Sequence, residues 1–251
     1  MSEFTRPHYE KAPIAEALID IRVANPDALT LDQLTAAADA LADEFPIRHP
    51  IQQLMFGFQA VAPNAAPGFM NNQEQIGWRL HNKAQDRVLQ LQRIGFTYSH
   101  LPPYTSWATF RDQARRCWDS FQRTVATALP ANRIAVRVIN KIPTPTAEIA
   151  LEDYLKVYPV VPDKMPTTAA VVYLQLQFAM PKVLPEAKVI INVASGQADA
   201  NGSHLLLDID LFSNQIVEKA EELWTIIEKF GTEKDVIFEA CITDKIREAI
   251  K

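Results

Sequence analysis

Asp208 and Asp210 stand two residues apart in HLLLDIDLFS (204–213), among leucines and an isoleucine. On a strand, residues i and i+2 project the same way at about 6.6–7 Å. That separation suits carboxylates that share a metal or act on either side of a scissile bond. A hydrolase or metal-dependent enzyme would use the pair in this way, with Arg137 or Lys141 assisting. Metal chemistry needs further ligands, and His8, His49, His81, His100 and His204 fall in no HExxH, HxH or CxxC pattern. Only His204 neighbours the pair. The GxGxxG, GxxxxGK[ST] and GxSxG motifs are absent, and seven scattered glycines do not build a phosphate cradle. No metal and no cofactor is expected. The competing reading makes the two aspartates the polar side of a half-buried strand.

Alternation tests that reading. In 204–212, Leu205, Leu207, Ile209 and Leu211 share one face, and Asp208 and Asp210 share the other with His204, Leu206 and Phe212. In IAEALIDIRV (14–23), Ala15, Ala17, Ile19, Ile21 and Val23 take one side, and Glu16 and Asp20 the other. RIAVRVINKI (133–142) sets Arg133, Arg137 and Lys141 on one side and Ile134, Val136, Val138, Asn140 and Ile142 on the opposite one. If the strands 14–23 and 133–142 pair, acids face bases, and each such cross-strand pair contributes roughly 0.2–1 kcal/mol. Glu16, Asp20, Arg133, Arg137, Lys141, Asp208 and Asp210 are therefore the candidate ligand- or partner-binding residues, on a polar sheet face of mixed sign. Asn140, on the apolar side, is expected to be a satisfied core amide.

These strands need elements to carry them. Helical spacing marks a segment from a cap at Thr30 to Phe45, and a long helix opening at Ser106, where Trp107, Phe110, Ala114, Cys117, Trp118, Phe121 and Val125 recur every three or four residues. Arg111, Arg115, Arg116 and Arg123 form the charged face of that long helix. Further strand-like runs cover 54–61, 77–82, 87–99, 168–180 and 187–195, with 62–75 a loop. A short helix is expected from about Ala147, another from Asn214 to Phe230 stopped by Gly231, and a last one after a fresh start at Thr232 to Asp235. The order β-α-β-β-β-α then occurs twice. The fold class is α+β: a largely antiparallel sheet with helices packed on one face, in two tandem β-α-β-β-β-α halves related saddle-like by a pseudo-twofold axis. Residues 1–12 form a tail, 13–130 the first half and 131–251 the second, packed as one continuous unit.

Composition narrows the classes. A chain of 251 residues that is 48% hydrophobic has ample material for a core. A net charge of −5 lacks the basic excess that binding to phosphate backbones recruits, which argues against nucleic acid. No run of about 18 apolar residues and no leader-like apolar segment is present, so no membrane is expected and a cytoplasmic location is. Cys117 and Cys241 fall inside different helical patterns and read as lone buried thiols.

Several stretches taken together resemble a sporadically distributed family of bacterial proteins with no established activity. They are the opening P-I-x-E-A-x-I-x-I (13–21), LQRIGFTYSHLPPYTSW (91–107), RIAVRVINKI, LEDYL, LLLDIDLF and the closing FEACITDKIREAI. The resemblance spans nearly the whole chain. It implies a module of mobile elements or phage conflict, hence phage defence, in which such a protein senses or holds a partner. It also draws attention to Glu16, Gly95, Arg137, Asn140, Lys141 and Asp208. The function expected is non-enzymatic recognition or regulation of an unidentified protein or small ligand on the polar sheet face, with a homodimer a candidate assembly. The alternative is the Asp208/Asp210 enzyme.

Overall fold

The computed structural model describes residues 7, 9–59, 68–126, 129–144, 148–196 and 203–251, with the backbone alone for 54–59 and 68–72. The strands are β1 (Ile14–Val23), β2 (Ile47–Gln59), β3 (Gly68–His81), β4 (Arg87–Gln92), β5 (Gly95–His100) and β6 (Ala131–Thr144). A separate two-residue pair, β7 (Ile149–Ala150) and β8 (Thr168–Ala169), precedes β9 (Tyr173–Ala179), β10 (Ala187–Ser195) and β11 (Ser203–Ser213). Nine of them make one sheet in the order β2-β3-β4-β5-β1-β6-β11-β10-β9. Every pairing within it is antiparallel. Among the described residues, four α-helices, α1 (Leu31–Asp39), α2 (Trp107–Val125), α3 (Ala220–Cys241) and α4 (Asp244–Ala249), complete the α+β fold. The helix layer lies on one face: α1 over β3 and β4, α2 over β5, and α3 over β6 and β11.

Alternation explains which face the helices cover. Leu205, Leu207, Ile209 and Leu211 of β11 are buried beside Ile134, Val136, Val138 and Ile142 of β6 and Ala17, Ile19 and Ile21 of β1. Each leucine, isoleucine or valine among them contributes about 1.5–3 kcal/mol by leaving water. α1 begins with a capping box, Thr30 accepting from the Gln33 N–H while the Gln33 side chain accepts from the Thr30 N–H. Ser106 caps α2 by accepting from the Thr109 N–H. Under the first half, Phe96 meets Trp118 edge-on at 5.4 Å and lies beside Phe121. Cys117 in α2 and Cys241 in α3 are free thiols inside this layer, and burial pushes their pKa values up to about 12 and about 11.

The first strands of the two halves pair, β1 against β6, at the middle of the sheet. The element strings of the halves differ. Four strands follow α1 in the first half, because 87–99 is two strands joined by a two-residue turn at Arg93–Ile94 that lacks an Asn-Gly or Asp-Gly signal. In the second half, a 3₁₀ turn (Leu151–Asp153) and the short strand β7 stand where a helix from Ala147 is expected, Ala147 itself lying outside the described residues. β2 starts at Ile47 rather than 54, and β3 claims 68–75 from the expected loop, whose first residues, 62–67, lie outside the described ones. So do residues 1–6 and 8 of the tail. The helix expected from Asn214 begins at Ala220 and runs unbroken through Gly231 to Cys241. Gly231 is not a stop: a Cβ there would sit 2.0 Å from the Trp107 ring, so the missing side chain lets α2 and α3 meet.

Gly95 marks a second close approach. Its φ is +147°, and a Cβ would lie 2.1 Å from the carbonyl oxygen of Ile21 on the neighbouring strand. The obstacle is backbone and cannot move aside cheaply. Gly95→Ala is expected to lower stability by on the order of 3 kcal/mol, read as a fall in the urea midpoint at unchanged slope.

Candidate functional site

On the face opposite the helices, five of the seven predicted residues, Asp20, Arg133, Arg137, Asp208 and Asp210, meet in hydrogen-bonded ion pairs. Arg137 makes a two-pronged pair with Asp208, Nε to Oδ1 at 2.7 Å and Nη2 to Oδ2 at 2.6 Å. The Asn192 amide donates to the same Oδ2 at 2.9 Å, and Gln175 donates to Asn192. Four residues away on β6, Arg133 bridges two acids: Nη1 to Asp20 at 2.8 Å and Nη2 to Asp210 at 3.1 Å. Asp20 also accepts from Arg22 and from the Thr97 hydroxyl. Glu16 reaches the cluster through its charge, which acts with those of Asp208 and Asp210 to raise the Arg137 pKa. Lys141 faces Leu206 in register on the same side of the sheet. The network crosses six strands, from β5 to β9.

This face is drier than its polar composition suggests. Asp20 and Asp208 are only 5% and 7% exposed, so the polar side of the sheet is not open to water at these carboxylates. The long arginine side chains lie across the carboxylates, and the Arg133 guanidinium also sits 4.9 Å from the centre of the Phe212 ring. Both oxygens of Asp208 are committed to Arg137, and Arg133 holds one oxygen of Asp210. That arrangement suits a structural clasp better than a nucleophile or a metal ligand. Among the described residues, no group of three or more His, Cys, Asp or Glu side chains is placed to hold a metal ion. Arg22, Arg133 and Arg137 are each matched to an acid, so these three cations are opposed where they stand. Asn140 is the satisfied core amide expected, donating to the Leu207 carbonyl at 3.1 Å.

A cavity of about 340 Å³ lies on the other side of the sheet, under the seam between β1, β6 and β11. Its floor is Ile14, Val138, Asn140 and Ile209, and its walls are the start of α2 and the second half of α3. The segment before β1 closes one side, held by Tyr9 donating to Glu239 at 2.5 Å and by the Lys11 N–H donating to the Ile250 carbonyl. Burial and the hydrogen bond to Glu239 push the Tyr9 phenol up to about 12. Lys234 is buried in the wall, ion-paired with Asp235 at 2.5 Å and 5.4 Å from the centre of the Trp107 ring. Trp107 is fixed in turn by donating to Glu228, which also pairs with Arg111. A wider groove of about 1120 Å³ runs between α2, α3 and the turn after β9, its polar lining a mixture of exposed and half-buried side chains of both signs.

Sequence reading missed this cavity for a definite reason. With a stop placed at Gly231, Lys234 falls in a connection between helices. On the continuous helix, Ile227, Phe230, Gly231, Lys234, Ile237 and Cys241 make one buried stripe, and a lysine within it is the signal that a polar recess exists.

The clasp sets two expectations. Arg137→Ala strands the buried Asp208 charge and costs about 2 kcal/mol in urea unfolding, less than a fully buried pair because the Arg137 side chain is 40% exposed. Burial raises the Asp210 pKa above 3.8, against the pull of Arg133 and Arg137 and with the push of Asp208 and Asp20. A raised value means the folded chain holds that proton more tightly. The associated stability is complete below the ordinary carboxylate value and is lost as pH rises through the shifted one. Asp210→Asn keeps the neutral form at every pH, so its thermal midpoint relative to wild type should climb as pH rises through that window.

No protein-family model, no curated protein and no solved structure matches this chain, and the reading of its site therefore stands on the geometry of these residues.

Proposed function

We propose that this chain is a non-enzymatic binding protein that holds a small amphipathic molecule in the cavity beneath the central seam. The supporting observation is the cavity itself: about 340 Å³, floored by apolar strand residues, with the buried polar side chains of Lys234 and Asn140 at its surface. Ligand sites are commonly concave, mainly apolar and supplied with a few converging polar groups. Trp107, Phe238, Val138 and Ile209 offer apolar contact, while Lys234 and Asn140 offer donors that orient a polar end. The carboxylate–guanidinium clasp on the far face supports this reading by fixing β1, β6 and β11, the strands that form the cavity floor. A sensing or holding role is also what the sequence resemblance to the sporadic bacterial family implies, in a mobile-element or phage-conflict setting. The enzyme reading is weaker, because Asp208 and Asp210 are engaged with arginines and neither lines the cavity.

Ala108 lines the cavity from the exposed first turn of α2, so Ala108→Trp narrows the entrance without entering the core. Native mass spectrometry after incubation with a bacterial metabolite extract should show one adduct per chain in the wild type and in the folded Asp208→Asn/Asp210→Asn variant. Ala108→Trp should lose at least nine-tenths of it. An adduct that survives Ala108→Trp and disappears with the aspartates would place binding on the sheet face and refute the cavity.

A further inference from the structure

β9 ends the sheet on one side, and its sequence carries none of the usual guards of an exposed edge. YLQLQFA (173–179) contains no charge and no proline, and its register with β10 has no bulge. The Met180 N–H donates to the Ala187 carbonyl and the Ser195 N–H to the Val172 carbonyl, so even-numbered residues direct their backbone groups to β10. Antiparallel alternation then turns the N–H and C=O groups of Tyr173, Gln175, Gln177 and Ala179 outward. Among the described residues, no backbone hydrogen bond outside the β9–β10 ladder meets them. The helix layer also stops short of this edge, since α3 lies over β6 and β11. On that side Leu174 and Leu176 are half-buried and Phe178 is 47% exposed, while Tyr173 on the other side is 78% exposed.

We infer that a second copy of this chain docks here, β9 against β9, antiparallel, continuing one sheet through both copies. The strand is its own complement. With Leu176 facing Leu176 on the two-fold axis, Leu174 faces Phe178 and Gln175 faces Gln177, so apolar side chains meet apolar ones and amides meet amides. The outward groups of the odd-numbered residues fall opposite one another in that register and close the ladder. An axis perpendicular to the sheet keeps both helix layers on the same side, where the two rows of Leu174, Leu176 and Phe178 cover each other. Charge permits self-pairing: a charged edge would repel its own copy, and this one is neutral along its whole length. The contact is independent of the cavity.

Sedimentation equilibrium of the full chain should give twice the chain mass. Gln177→Pro removes one outward N–H, a change an edge strand tolerates, and should sediment as a single chain with an unchanged circular dichroism spectrum. Leu176→Cys places two thiols across the axis in a non-hydrogen-bonded pair, where Cα atoms lie about 4.5 Å apart, and should form a covalent dimer on mild oxidation. The native Cys117 and Cys241 are buried and do not compete. A wild-type chain that stays single at hundreds of micromolar overturns the inference, and would leave the edge to a strand from another protein. So does a dimer that persists in Gln177→Pro and fails to cross-link through Leu176→Cys.

Discussion

Three aspartates lie nearly out of water on a sheet face, and the centre of the fold depends on guanidinium groups meeting them there. Asp20, Asp208 and Asp210 belong to two strands, β1 and β11, that do not touch each other; β6 runs between them and supplies Arg133 and Arg137. Arg133 holds one acid from each neighbour. The joint between the two parts of the chain is thereby fixed twice, by backbone ladders within the sheet and by charge across it. An unpaired carboxylate in such a place costs about 2 kcal/mol, a sizeable part of what a whole domain has to spare. Register at this seam is therefore specified strongly, since a one-residue slip would send every acid to the apolar side.

The same constraint orders what lies beneath. Strands held in register put Val138, Asn140 and Ile209 in one patch on the helix side, and α2 and α3 approach over it without filling it. Their approach depends on Gly231, against which the Trp107 ring lies. Trp107 then serves three neighbours at once: it packs on the glycine, donates to Glu228 and presents its ring to Lys234. The recess is a product of helix spacing, with polar groups set at its surface by two different layers.

Much of this arrangement was legible from residue order alone. Period-two alternation sorted the faces of β1, β6 and β11, because all three are long and have one thoroughly apolar side. It also brought Asp20 to Arg133, and Asp208 to Arg137, as members of one surface. Three things were not legible. The turn at Arg93–Ile94 carries no turn signature, so β4 and β5 read as one strand. Gly231 looks like a helix stop, because its purpose is a contact with Trp107, more than a hundred residues away. The dryness of Asp20 and Asp208 comes from neighbouring arginine stems, and alternation records which way a side chain points but not what lies over it.

The two thiols offer a consequence of a different kind. Cys117 and Cys241 sit on separate helices, and both are buried out of reach of solvent. A water-soluble alkylating reagent can therefore reach each one only while its own helix is lifted from the sheet. The chain carries two built-in clocks, whose labelling rates report separately how often the roof over each part swings open.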